Sequence, residues 1–77
     1  MIIDLTEMDA GELGVISEVQ GGHDMARRLQ SMGVRPGKRI KKVSSHFWRG
    51  PQTVEIDKAQ VAIGFSMATK IFIEVQR

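Results

Sequence analysis

His23 and His46 are the side chains of this 77-residue chain best suited to chemistry, because imidazole both titrates near neutral pH and binds transition metals. Neither lies in an HxxxH or HExxH spacing, which would put two ligands on one helix face. His23, Asp24 and a carboxylate of the N-terminal third have the donor chemistry for iron or another divalent ion, but no spacing assembles them, so metal residues stay unassigned. Ser45-His46 sets a hydroxyl beside a base without the third, orienting residue that a nucleophile needs. Gly21-Gly22 lacks the GxxxxGK[ST] or GxGxxG frame of a phosphate cradle and reads better as the end of a strand. With no cysteine there is neither a disulfide nor a thiolate site. Of the five methionines, Met25 and Met32 stand at core spacing, where methionine fills gaps. The inventory predicts a protein that is not an enzyme and has no firmly implied cofactor.

Charge is distributed more informatively than the net +2 suggests. Residues 1–24 hold six acids and neither lysine nor arginine. Residues 25–49 reverse this with Arg27, Arg28, Arg35, Lys38, Arg39, Lys41, Lys42 and Arg49 and no acid, and residues 50–77 balance three against three. Such a block can face the chain's own acidic third, an acidic protein surface, or nucleic acid and anionic lipid. Arg35, Arg39 and Lys41 are the candidate partner-binding cations. Phe47 and Trp48 join them, since the stretch SSHFWRGP concentrates aromatic area where a loop tip is ordinarily polar. The same pair could instead fold back over a small core. Few aromatics and no helix-turn-helix weigh against nucleic acid.

The elements that must position these residues turn on Arg27 to Gly37. Met25, Leu29 and Met32 predict a helix with one apolar face, capped by His23 or Asp24. Gly33 stops it, Leu29 and Val34 stand where a Schellman cap places its apolar contact, and Pro36-Gly37 predicts a type II turn into a strand. Ile2, Ile3, Leu5 and Met8 form an apolar lead-in, either strand or helical turn. Leu13–Val19 reads as a strand bent near Gly14. Ile40 and Val43, three apart, require a bulge, or else the stem of Lys42 covers the core's edge with its ammonium in water. Ser44–Pro51 reads as a loop. Thr53–Asp57 and Gln60–Gly64 form a hairpin, Ser66 caps a short turn, and Ile71, Ile73 and Val75 mark a last strand. Five strands and one short helix make a mainly β single domain over residues 1–77, closed or nearly closed to hide its edges. No segment is suited to span a bilayer or to act as a signal peptide.

The ordered set of Arg27-Arg28-Leu29, Met32-Gly33, Pro36-Gly37 and an aliphatic strand resembles the FeoA family of ferrous iron transport accessory proteins. Gly11-Glu12 with Gly14 and Ile16, Gly50-Pro51 before Val54 and Ile56, and Ala68 before Ile71 extend the likeness over nearly the whole chain. A glycine near Lys58-Ala59 and an arginine near Gly64, common in that family, are absent. The resemblance implies a small SH3-like barrel and a cytoplasmic partner of the FeoB-type membrane transporter. A homo-oligomer is expected beside it, from the small core. The alternative is a basic nucleic-acid-binding or regulator-type module, since similar barrels end DtxR-like metal-dependent repressors.

Overall fold

The computed structural model describes residues 1–45 and 49–77, Ser45 in its backbone alone, so the expectations for His46, Phe47 and Trp48 lie outside the described residues. Helix α1 (His23–Ser31) ends as its sequence requires. Val34 N donates to Leu29 O at 2.9 Å and Gly33 N to Gln30 O at 3.0 Å, the paired bonds of a Schellman cap. Gly33 takes φ 88°, and Leu29 and Val34 are both buried. Lys38 N then donates to Arg35 O at 3.2 Å with Gly37 at φ 92°, which closes the Pro36-Gly37 turn. The start of α1 differs from expectation. Gly22 is the N-cap, at φ 88° and ψ 172° with no side-chain bond, so His23 becomes the first helical residue and neither His23 nor Asp24 caps.

Among the described residues six strands form one antiparallel sheet: β1 (Ile2–Asp4), β2 (Leu13–Val19), β3 (Arg39–Ser45), β4 (Gln52–Ile56), β5 (Ala59–Ile63) and β6 (Ile71–Glu74). Their spatial order is β1-β6-β2-β3-β4-β5, with β1 and β5 at its ends: the mainly β, SH3-like barrel is as expected, although among the described residues its hydrogen bonds do not close. The lead-in is strand and turn in succession, since β1 runs into a 3₁₀ turn at Leu5–Glu7 under an Asp4–Glu7 capping box. Strand β3 runs on to Ser45, paired with Gln52, where the sequence suggested a loop from Ser44. Helix α2 (Phe65–Ala68) starts two residues earlier than Ser66 capping would allow, from Gly64 as N-cap and again without a side-chain bond. The β4–β5 turn manages without glycine because Asp57 and Lys58 themselves take φ 52° and 68°, the two positive angles of a type I′ hairpin.

Inward-facing Ile3, Leu5, Ile16, Leu29, Ile40, Val54, Ile56, Ile63, Ile71, Ile73 and Val75 make one core. The expected bulge in β3 falls between Lys42 and Ser44. It carries Lys42 into the core, not to its edge: the residue is fully buried, and Nζ donates to Leu5 O at 2.8 Å and Met8 O at 3.2 Å. Those carbonyls lie just beyond β1, where no strand ladder reaches them, and the ammonium supplies the donor that water supplies elsewhere. Burial pulls the Lys42 pKa below the ordinary lysine value, against the pull of Asp4, Asp9 and Glu12.

Candidate functional site

Because side chains alternate across a strand, the phase of β2 that buries Ile16 turns Leu13 and Val15 outward, 68% and 39% exposed. Register then decides their neighbours. Leu13 pairs with Lys41 and Val15 with Arg39 on β3, Lys41 pairs with Glu55 on β4, and Val15 pairs with Glu74 on β6. Ile2, 53% exposed, stands beyond Glu74 in the same row. The result is an open groove of about 720 Å³ on the outer sheet face, floored by Leu13 and Val15 and edged by Arg39, Lys41, Lys58 and Glu55.

The carboxylates around this groove are mostly spent within the molecule. Glu74 meets the N-terminal ammonium, and Asp57 pairs with Lys38. Glu12 takes a two-pronged bond from Arg77, Nε to Oε2 at 2.9 Å and Nη2 to Oε1 at 2.8 Å. That bond, with the Asp9 backbone amide, holds the Glu12 pKa down to about 2 and raises that of Arg77. Arg39, Lys41 and Lys58 make no ion pair among the described residues, and Glu55 is the one carboxylate of the groove that likewise makes none. The groove's uncompensated charge is therefore positive.

Most of the acidic third is engaged away from the exposed part of the basic block, although Asp4, Asp9 and Glu12 favour the charge of the buried Lys42. Asp4 and Glu7 cap the 3₁₀ turn, while Asp9 and Glu12 face Arg77. Within the block, Lys38 finds Asp57 on β4's exit turn, Lys42 is buried, and Arg49 lies 5.9 Å from the centroid of the Phe65 ring. Of the candidate cations, the structure brings Arg39 and Lys41 together on β3 and sets Arg35 apart, in a shallow hollow with Val19, Ala26 and Gln30 beside α1. Leu13, Val15 and Lys58 were missed in the sequence. The alternation of β2 was the available signal, had Ile16 been taken as its inward phase. His23 and Asp24 are exposed at the start of α1, and no cluster of three or more potential metal ligands occurs among the described residues. No helix of the described residues is long and apolar enough to cross a membrane.

Comparison with known proteins bears on the whole chain. The family model described as the FeoA domain matches residues 3–75. A candidate Fe(2+) transport protein A of Methanocaldococcus jannaschii is 30% identical over 64 residues, spanning 83% of this chain and 76% of that one. The crystal structure of an iron uptake regulatory protein, FeoA, superposes with a TM-score of 0.91 at 32% identity, covering 99% of this chain and all of that one. A manganese-dependent transcriptional repressor shares the fold alone, with a TM-score of 0.87 at 22% identity over 97% of this chain and 42% of its own.

Proposed function

This chain belongs to the FeoA domain family, and from that membership we propose that it is a non-catalytic cytoplasmic accessory protein of ferrous iron uptake. It acts by contact with the cytoplasmic part of the FeoB-type membrane transporter. One observation supports action by contact: the outer sheet face keeps Arg39 and Lys41 beside exposed Leu13, and neither cation makes an ion pair among the described residues. Cations held next to apolar area favour fast, charge-steered association with an acidic protein surface.

The test is a pull-down of the transporter's purified cytoplasmic domains on immobilised protein, with and without Fe(II). Retention that weakens as salt is raised supports the reading. No retention at low salt in either condition removes it. A homo-oligomer in solution, expected from the small core, is read in the same preparation by sedimentation.

A further inference from the structure

We infer that the groove over Leu13 and Val15 is the docking site for an acidic amphipathic segment of a partner protein. The segment's aliphatic side chains would cover Leu13 and Val15, and its carboxylates would meet Arg39, Lys41 and Lys58. This rests on the reading that the chain acts by protein contact, and it adds where the contact lies and what chemistry the partner must bring.

Register makes the site specific. Leu13 and Val15 are next neighbours on one face of β2, about 7 Å apart along the strand. Lys41 and Arg39 stand directly opposite them on β3. Two apolar contacts and two cations thus run side by side, matched by a segment whose own aliphatic and acidic residues lie in adjacent rows. Lys58, at the tip of the β4–β5 hairpin, extends the cationic edge.

The charge state selects the occupant. Three carboxylates of the lining, Glu12, Asp57 and Glu74, are already held by Arg77, Lys38 and the N-terminal ammonium. What faces a partner is Arg39, Lys41 and Lys58 against Glu55 alone. A second copy is disfavoured, since a two-fold contact through this face would press together two surfaces of the same net positive charge. Nor does the acidic third of another copy serve as a block: four of its six acids, Asp4, Glu7, Asp9 and Glu12, are committed to caps and to Arg77, and the other two, Glu18 on β2 and Asp24 on α1, lie on separate elements. Nucleic acid would leave Leu13 and Val15 without partners, since single strands are gripped by stacking on aromatic rings and none lines the floor among the described residues.

The experiment follows backbone amide shifts by NMR in the isotope-labelled protein. The probes are a short amphipathic leucine–glutamate peptide, its leucine–lysine counterpart, and then the transporter's cytoplasmic domains. The expected result is movement of the Leu13, Val15, Arg39 and Lys41 amides with the glutamate peptide and not with the lysine one. Binding should fall at least about tenfold in Leu13→Ser/Val15→Ser, as for anchors at the centre of a contact. In Arg39→Gln/Lys41→Gln it should both weaken and lose its salt dependence. All four side chains point away from the core, so the dispersed spectrum should survive, and Leu13→Thr/Val15→Thr gives a strand-favouring second variant. No shift with the glutamate peptide, equal shifts with both peptides, or shifts confined to other surfaces would overturn the proposal. So would a dimer of the wild type that Leu13→Ser/Val15→Ser dissociates, or tight binding of a single-stranded DNA oligonucleotide at the same amides. If the transporter domains bind but move other amides, the docking site is wrong and the accessory function stands; if the peptide binds and the transporter domains do not, the site stands and the transporter assignment falls.

Discussion

Replacing Lys42 with methionine isolates the worth of a buried ammonium, because methionine keeps most of the aliphatic stem and removes only the charge and its donors. Two carbonyls are affected unequally. Leu5 O also accepts from Met8 N at 3.3 Å and keeps that partner, whereas Met8 O receives no other donor among the described residues. One orphaned buried carbonyl costs about 1–3 kcal/mol. Against this, folding no longer has to strip water from an ammonium, which matters because burial already drives the Lys42 pKa down. The expected net loss at neutral pH is therefore about 1–2 kcal/mol, toward the low end of the orphan cost. In a domain of this size that is a fall in Tm of about 5–15 °C.

The same residue has a signature in pH. Its folded pKa lies below its unfolded one, so between the two the unfolded chain binds more protons and stability rises with pH. Below the folded pKa the charge carries its whole burial cost, and that cost is relieved as pH climbs toward the ordinary lysine value. Urea unfolding across an alkaline series should show wild type gaining on Lys42→Met, with the gap widening as pH rises. A methionine variant equal to or more stable than wild type at neutral pH would refute the orphaned-carbonyl reasoning. A gap independent of pH would refute the buried-charge half of it.

Gly33→Val should destabilise by about 1–3 kcal/mol in a thermal melt, since a β-branched residue is strained at the φ of 88° that the Schellman cap requires. Gly14→Ala should cost a similar 1–3 kcal/mol or so through overpacking, because an added Cβ would stand 2.4 Å from Ile73 Cγ2 and 2.9 Å from the fixed Glu74 O. Arg77→Gln should return the Glu12 pKa from about 2 toward 4.5 in a carboxyl-detected NMR titration. Glu12 is depressed on folding, so its contribution is present above the unfolded pKa and lost as pH falls through the folded one. The variant should accordingly shed the part of the acid response lying between 4.5 and about 2.

Local chemistry made the central corner legible. A helix stop, a Schellman contact and a proline–glycine turn involve neighbours within about six residues, and all three formed as their residue types dictate. The N-cap was misjudged because two glycines with positive φ lead into α1, a backbone solution that needs no side chain. The β4–β5 turn shows the reverse case, non-glycine residues accepting positive φ where the sequence lacked the usual signal. Lys42 was legible only in part, for a different reason: the spacing of Ile40 and Val43 sets its stem at the core's edge, but its acceptors lie 37 and 34 residues upstream, so nothing near it in sequence marks the ammonium for burial. The fate of the acidic third was hidden likewise, since its main cationic partner, Arg77, is 65 residues from Glu12.

The outward set of β2 carries a last step of reasoning about the groove. A strand with aliphatic residues on both faces, Leu13 and Val15 on one and Ile16 on the other, could in principle bury either set, and a one-residue slip would exchange them. Packing room decides the matter: at Gly14 an added Cβ would collide with Ile73 and with the Glu74 carbonyl, so only a residue without a side chain fits the inward position there. The slipped register would drive Leu13 or Val15 into that space. Gly14 thus explains why Leu13 and Val15 face out, yet it places no demand on what they are. Threonine at both positions would keep strand propensity and remove the apolar area from water. Leucine at 68% exposure gains the fold almost nothing and leaves a hydrophobic floor beneath two unpaired cations. The register is a requirement of the core; the apolar identity of those two side chains is not, and it is what the proposed docking segment would use.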